Sequence, residues 1–262
     1  AQQVILATGA IERPMIFSNN DRPGVMLASA VRAYLNRYGV AAGQRVAIFT
    51  NNDDAYRTAI DLADAGVKVT SIIDVRPDPS GMMITEAIRR DIEILEGSVV
   101  TDVQGRKGVE SIQVGKLNDD GTAIIGMQHT INCDVICSSG GWNPAIHLHS
   151  HSGGKARFDD TRGIFLPEAA QPNQTCIGSA AGTFSLTACL AEGASVGKKA
   201  AGASGFKKSS RRKIPSSMEE DVYPIRPLWV SPQIPSNKFK GKYFVDPAHD
   251  VTAADIRLAA LE

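Results

Sequence analysis

The stretch that most constrains the fold is residues 45–76, where the spacing of apolar residues changes twice. Residues 46–49 form a short apolar run that is typical of a buried parallel strand. Residues 53–66 carry apolar side chains at helical spacing and end in glycine, and 67–73 resume an extended pattern. This order predicts the βαβ unit that opens a dinucleotide-binding domain. Asp74, at the tip of the second strand, stands where such domains carry an acid that can accept a ribose hydroxyl.

The glycine fingerprint of such a domain, G-x-G-x-x-G, is missing: Thr50, Asn52 and Ala55 stand in its place. The glycines let the backbone approach a pyrophosphate at the helix N-terminus, and asparagine and threonine side chains would occupy that space. Asp53 and Asp54 would also place negative charge beside the phosphates. At ~4 Å near a protein surface, like charges repel by about 4 kcal/mol, more than the roughly 0.3–1 kcal/mol of the helix dipole. We therefore predict a Rossmann-like unit that is kept for packing and does not bind a dinucleotide.

The composition is that of an ordinary globular protein. Of 262 residues, 43% are hydrophobic and 21% charged, and 28 basic residues balance 28 acidic ones, which argues against a general nucleic-acid or membrane surface. No apolar run reaches the ~18 residues of a membrane helix. The chain begins within an apolar strand, without an initiator Met or a signal peptide, as though cut from a longer chain.

The four cysteines show no C-x-x-C spacing. Cys133 and Cys137 are four residues apart in a predicted strand, so we expect them on one face. Cys176 and Cys189 are isolated in the sequence. Buried free thiols in a reducing compartment account for this pattern better than a disulfide or a metal site, and we expect a cytoplasmic protein.

Three histidines, His147, His149 and His151, occupy alternate positions, which would place them on one face of an extended segment. Three neutral imidazoles can bind zinc. No carboxylate or cysteine lies nearby in a recognisable ligand pattern. We predict a solvated or interface face and no metal.

Two strand–turn junctions flank the central part of the chain. Residues 4–10 read as an apolar strand that runs into the turn Thr8-Gly9. Residues 175–182 read as a strand–turn–helix junction, and the helix over about 184–201 is rich in small residues, so we expect it to pack closely against another element. Its N-terminal amides could receive a phosphate.

The remaining patterns give the order of elements. We predict an amphipathic helix over 26–38, a helix from 85 to about 92, and a β-meander followed by a buried strand over 98–137. From 205 the chain reads as a linker or subunit-wrapping segment outside the core, and 244–258 reads as a strand followed by a capped helix. The linker carries a basic cluster and several prolines: Lys207, Lys208, Arg211, Arg212 and Lys213, and Pro215, Pro224, Pro227, Pro232 and Pro235.

Several long motifs together resemble the alpha subunit of heterotetrameric sarcosine oxidase, and the resemblance spans essentially the whole chain. The filled Thr-Asn-Asn turn belongs to that family pattern. The motifs are ATGAIERP (7–14), NNDRPGVM (19–26), YLNRYGV (34–40), TNNDDAY (50–56), SGGWNP (139–144), GSAAG (178–182), FVD (244–246) and DVT (250–252).

The resemblance implies an oxidative demethylation in which sarcosine, oxygen and tetrahydrofolate give glycine, hydrogen peroxide and methylene-tetrahydrofolate, or formaldehyde without the folate. It implies FAD and the amine-oxidising site on the beta subunit, FMN at the alpha–beta interface, and NAD on alpha. Tetrahydrofolate would bind the C-terminal part of alpha, a module that this chain lacks, and the partners would be the beta, gamma and delta subunits.

The implied fold is an α/β, two-dinucleotide-binding-domain (FAD/NAD(P)-binding, disulfide-reductase-like) architecture, incomplete at both ends. We assign the end of the first nucleotide-binding domain and a connecting helix to 1–39, and an inserted Rossmann-like domain with the degenerate glycine motif to 40–142. The chain would return to the first domain over 143–204, and 205–262 would hold the linker and the start of a following module.

In this reading, half of an NAD site is lined by Thr8, Gly9, Gly178, Ser179 and Ala180. Flavoprotein relatives often place aspartate at the position of Ser179 to hold the FAD ribitol, so serine there disfavours FAD and fits NAD. We assign no catalytic residue. Two alternatives stay open: the large subunit of a related amine or proline dehydrogenase, and a non-catalytic scaffold that docks the flavin-bearing subunit.

Overall fold

The computed structural model describes residues 2–168, 172–206, 214–215, 217, 225–232 and 241–261. The chain divides into two compact units, each built from two stretches. The first unit is Ala1–Ile11 with Trp142–Val222, and the second is Glu12–Gly141 with Tyr223–Glu262. This division differs from the predicted segments, because residues 12–39 lie in the unit that holds the βαβ stretch and not with residues 1–11.

The described strands and helices follow in chain order. The strands are β1 (Val4–Leu6), β2 (Ala10–Glu12), β3 (Val25–Leu27), β4 (Arg45–Thr50), β5 (Lys68–Asp74), β6 (Ile94–Leu95), β7 (Ser98–Gln104), β8 (Ser111–Leu117), β9 (Ile124–Asn132), β10 (Val135–Ser139), β11 (Trp142–Pro144), β12 (Ala156–Asp159), β13 (Ile164–Pro167), β14 (Gln174–Cys176), β15 (Phe244–Asp246) and β16 (Val251–Thr252). The helices are α1 (Ala28–Tyr38), α2 (Asp54–Asp64), α3 (Met82–Ile88), α4 (His147–His151), α5 (Leu186–Ala203) and α6 (Ala253–Ala259), with a 3-10 turn at Gly178–Ala181.

The second unit is built on a parallel five-stranded sheet in the order β3-β10-β4-β5-β6. The predicted βαβ unit is confirmed as β4, α2 and β5. Side chains of β4 alternate between two buried clusters: Val46 and Ile48 face the helices, and Ala47 and Phe49 face the meander. Because both faces are covered, the strand reads as a continuous apolar run.

The predicted meander is confirmed as the antiparallel sheet β7-β8-β9. Cys133 and Asp134 form the turn before β10, where the Asp134 carboxylate accepts the amide of Arg45 at 2.9 Å. Cys133 therefore joins the meander-facing cluster and Cys137 the helix-facing cluster. The expectation that the two cysteines share a face is wrong, because the strand begins only at Val135.

Two predicted helices of the second unit are confirmed with shifted bounds. Helix α1 ends at Gly39, whose left-handed backbone (φ 64°) lets its N–H reach Leu35 O at 3.0 Å. Helix α3 lies about three residues before its predicted position, because Asp91 adopts a positive φ of 54° and ends the turn. The predicted strand and capped helix near the end are β15, β16 and α6, with a capping box between Thr252 and Asp255.

The first unit contains the parallel pair β1-β14 and the antiparallel hairpin β12-β13. Helix α5 lies within two residues of its predicted bounds, but within the described part of the chain none of its residues is buried. A side chain added at Gly193 or Gly197 would meet nothing within 4 Å. The expected close packing of its small residues is therefore wrong for the described structure.

The histidine segment is the short helix α4 and not an extended segment, so that expectation is wrong. Residues two apart do not share a helix face, and His149 alone is buried. Its Nε2 lies 3.1 Å from Lys155 O, and its Nδ1 lies 3.3 Å from the Gln174 side-chain nitrogen. Among the described residues, no three His, Cys, Asp or Glu side chains group as metal ligands do.

The predicted basic cluster at 207–213 lies outside the described residues. None of the helices in the described stretches combines the length and the apolar character that a membrane span requires. All four cysteines are free: Cys133 and Cys137 are buried, and Cys176 and Cys189 are half-buried.

Candidate functional site

In the first unit, the carboxyl ends of β1 and β14 lie side by side, the place where open parallel sheets bind ligands. Pairing continues past the strands, since Ile177 N–H donates to Leu6 O at 2.9 Å. Gly9 and Gly178 follow the two strands in left-handed conformations, with φ of 79° and 65°. Such conformations favour glycine, and they keep the two turns free of side chains.

The structure brings the predicted residues of this edge together. A Cβ on Gly9 would lie 4.0 Å from Ser179 Oγ, so the two turns face each other. The exposed Thr8 donates its hydroxyl to Ala145 O at 2.6 Å. Ala180 is buried, so only its backbone can face a ligand.

One residue of this edge was missed by the sequence analysis. The Glu192 carboxylate, from the second turn of α5, accepts the Gly178 N–H at 2.8 Å. Ser185 accepts the Ala188 amide at the start of the same helix. The amides of Gly178 and Ala188 therefore already have protein acceptors. The expectation that the N-terminal amides of α5 could receive a phosphate stays a prediction for the other amides of that helix.

In the second unit, side chains fill the corresponding edge between β4 and β10. The Asn52 amide donates to both the carbonyl and the hydroxyl oxygen of Ser139, each at 3.1 Å. Asn52 Oδ1 accepts the Asp54 amide at 3.0 Å, at the start of α2 where a phosphate would bind. Thr50 Oγ1 accepts the Asn52 N–H at 3.1 Å. These hydrogen bonds confirm the prediction that side chains fill the turn.

The acid at the tip of β5 is also engaged. Asp74 is fully buried and accepts the Tyr56 hydroxyl at 2.8 Å and the Arg76 guanidinium at 2.7 Å. Burial raises the pKa of Tyr56, and the charge of Asp74 raises it further. Asp74 therefore has no free side for a ribose hydroxyl in this arrangement.

Arg76 also changes the electrostatic part of the prediction. Its guanidinium donates to Asp53 Oδ1 at 2.6 Å, so the charge of Asp53 is paired within the protein. Repulsion between Asp53 and a phosphate is weaker than we expected from the sequence. The filling of the turn by Asn52 is the stronger barrier.

Residues 225–232, which we call the strap, lie across this filled edge. The prediction of a linker or subunit-wrapping segment outside the core is therefore wrong for these residues. Asn51 Nδ2 donates to the carbonyls of Arg226 and Leu228 at 3.1 and 3.4 Å. The Trp229 indole donates to Gly140 O at 2.7 Å. Apolar side chains of the strap pack against the meander-facing core, which explains why it is held there.

Two arginines anchor the strap, one within it and one outside it. Arg226 donates to Val75 O at 2.8 Å and to Asp119 O at 2.7 Å. The Arg13 guanidinium lies 4.4 Å from the centre of the Trp229 ring, a cation–π contact. A basic cluster followed by several prolines indicated a linker or subunit-wrapping segment, and no sequence signal pointed to these long-range bonds.

A buried acid lies at the start of α1 in the same unit. Glu12 accepts the Ser29 amide at 2.9 Å, and its other carboxylate oxygen has no hydrogen-bond partner in the described structure. Burial raises the pKa of this carboxyl, against the hydrogen bonds from Ser29 and Ser139 that lower it. Glu12 is therefore a buried, titratable acid of the second unit.

No protein-family model matches the chain. It is 39% identical over 260 residues to the sarcosine oxidase subunit alpha of Corynebacterium sp. (strain P-1), which covers 98% of this chain and 26% of that relative. The chain is a homologue of the sarcosine oxidase alpha subunit. The predicted resemblance is confirmed, and the chain spans about a quarter of the length of that alpha subunit.

Solved structures confirm the FAD/NAD(P)-binding oxidoreductase fold. L-proline dehydrogenase from P. horikoshii is 25% identical with a TM-score of 0.54, covering 80% of this chain and 36% of that one. Thioredoxin reductase from T. acidophilum is 19% identical with a TM-score of 0.57, covering 78% and 64%. Both matches agree with the mixed α/β architecture of this chain and with its parallel sheet.

Proposed function

We propose that this chain is the nucleotide-binding part of the alpha subunit of an oxidoreductase that demethylates sarcosine. Sarcosine, oxygen and tetrahydrofolate would give glycine, hydrogen peroxide and methylene-tetrahydrofolate, with formaldehyde released when folate is absent. The similarity to a sarcosine oxidase alpha subunit over 98% of the chain supports this proposal. Its free cysteines fit the expected cytoplasmic location.

The observation that supports NAD binding by this chain is the geometry of the edge of the first unit. Two glycines with positive φ follow adjacent parallel strands, and Gly9 faces the Ser179 hydroxyl. Such glycine turns let a backbone approach a nucleotide closely. We assign half of an NAD site to Thr8, Gly9, Gly178, Ser179 and Ala180. Bound NAD would supply hydride-transfer chemistry.

The residues fit this task as binding groups and not as catalysts. Ser179 offers a hydroxyl beside Gly9, and the Thr8 hydroxyl is exposed while it donates to Ala145 O. Ala180 contributes backbone only, because its side chain is buried. The amine-oxidising chemistry would belong to FAD on the beta subunit, with FMN at the alpha–beta interface. The chain would then hold NAD and scaffold the flavin-bearing subunit in a complex with beta, gamma and delta.

Oxygen uptake by the co-expressed subunits tests the reaction. We expect uptake with sarcosine, and hydrogen peroxide in equal amount. Reduction of an added dye acceptor by proline, without oxygen uptake on sarcosine, would favour the second candidate, an amine or proline dehydrogenase subunit, which the likeness to L-proline dehydrogenase supports. Neither oxygen uptake nor dye reduction with either substrate would favour a scaffold and contradict the proposal. An inactive partner flavin subunit, paired with this chain, is the control that assigns the uptake to the complex.

A further inference from the structure

The turn Gly178–Ala181 carries a feature that the proposed NAD site does not explain. A carboxylate oxygen of Glu192 accepts the first amide of the turn, Gly178 N–H, at 2.8 Å. One turn earlier on α5, Cys189 Sγ donates to Thr183 O at 3.0 Å. Helix α5 therefore bonds to the first residue of the turn and to Thr183, just beyond its end, and an anionic side chain sits at the amide that a phosphate would use.

Charge decides what this turn can accept. A phosphate and a carboxylate cannot share one N–H donor, and they repel each other strongly at contact distance. A sugar hydroxyl can instead donate a hydrogen bond to a carboxylate. The Ser179 hydroxyl, which faces Gly9, adds an uncharged polar group at the same place.

We propose that Glu192 is a specificity-determining residue of this turn: it excludes phosphate from Gly178 and reserves the turn for the uncharged, hydroxyl-bearing part of a nucleotide, its ribose. This inference rests on the proposed NAD site and states which part of the dinucleotide the turn contacts. The pyrophosphate then lies away from Gly178.

The test compares adenosine with ADP as ligands of the 262-residue chain by calorimetry. Glu192→Gln keeps a carbonyl acceptor for Gly178 and removes the charge, whereas Glu192→Ala removes both. We expect both variants to strengthen ADP binding by about three- to tenfold relative to adenosine. Glu168→Gln removes the same charge from an exposed position of the same unit, and it should leave the ratio unchanged.

A merely structural role predicts a different pattern. Glu192→Gln would then behave as the wild type, and Glu192→Ala would weaken both ligands equally, which overturns the inference. Thermal unfolding of each variant shows whether it has folded, and Glu192→Gln carries the test if Glu192→Ala does not fold. NAD binding by the wild type with an unchanged ADP-to-adenosine ratio in Glu192→Gln overturns this inference alone. Absence of binding by NAD, adenosine and ADP overturns the proposed site and the inference together.

Discussion

In each unit, a pair of parallel strands ends at an edge where nucleotides bind in this fold. The turns at the two edges are built differently. In the first unit the turns carry glycines in left-handed conformations, Gly9 and Gly178. In the second unit the turn carries Asn52, whose side chain bonds to Ser139 and to the start of α2. The strap then covers that edge through Asn51, Gly140 and Val75.

Topology provides the edge, but side chains at the turn decide its occupant. A ligand entering the second edge would have to replace buried protein hydrogen bonds, and each donor or acceptor left unpaired costs about 1–3 kcal/mol. The first edge demands less, because glycine leaves room beside the backbone.

Arg76→Ala should cause the largest loss of stability. It leaves Asp74 buried without its cation, and breaking a buried pair in this way costs about 3–5 kcal/mol. Urea unfolding measures the change. Arg90→Ala, which removes a more exposed arginine paired with Asp64 and Glu86, is the control and should cost little. Equal losses from the two variants would show that the Asp74 network is not a special feature of the filled edge.

Trp229→Ala should release the strap. The half-buried indole loses its bond to Gly140 O and its contact with Arg13, so we expect about 2–3 kcal/mol, below the 3–5 kcal/mol of a fully buried aromatic. Trp229→Phe keeps a ring over Arg13 and should lose only about 0.5–1.5 kcal/mol for the hydrogen bond. Neither variant should bind NAD at the second edge, because Asn52 still fills the turn. Binding of a second NAD by Trp229→Ala would mean that the strap alone closes this edge.

Glu12 gives the second unit a dependence on pH. Its pKa is raised by burial, so the folded chain holds this proton more tightly than the unfolded chain does. This contribution to the free energy of unfolding is complete below the pKa of Glu12 in the unfolded chain. It is lost as pH rises through the pKa of Glu12 in the folded chain. As pH rises from about 4, the wild type should lose stability relative to Glu12→Gln. Denaturant midpoints across this range test it, and parallel curves would contradict it.

Gly193→Ala should give the smallest effect and the opposite sign. The added methyl meets nothing within 4 Å on α5, so helix propensity alone should stabilise the chain by about 0.5–1 kcal/mol. At Gly140, by contrast, a Cβ would lie 2.9 Å from the Trp229 ring, and Gly140→Ala should destabilise the second unit. Thermal melts compare the two. Destabilisation by Gly193→Ala would show that α5 packs against an element outside the described residues.

Local sequence patterns predicted the elements well where the period of apolar residues changes sharply. The unit β4-α2-β5 and the end of α1 at Gly39 were placed correctly, because burial on both faces and a left-handed cap leave direct traces in the sequence. The filling of the Asn52 turn was predictable for the same reason: glycine was absent where only glycine leaves room.

Two of the failures come from contacts between residues far apart in the sequence. The strap reads as a linker because its stability comes from Asn51, Gly140 and Val75, none of which its own composition reveals. Glu192 reads as an ordinary helical acid, because its partner Gly178 lies fourteen residues away. The alternating histidines suggested a strand, but backbone bonds such as Ser150 N–H to Ile146 O make that segment a helix.

NAD titration of the 262-residue chain shows whether a dinucleotide binds the glycine edge and not the filled one. Gly9→Val puts a branched side chain at a left-handed position facing Ser179, and Asp74→Asn changes the acid of the filled edge at nearly constant shape. We predict that the wild type binds NAD, that Gly9→Val weakens binding at least about tenfold, and that folded Asp74→Asn leaves the Kd unchanged. Loss of NAD binding in Asp74→Asn with retention in Gly9→Val would contradict the account.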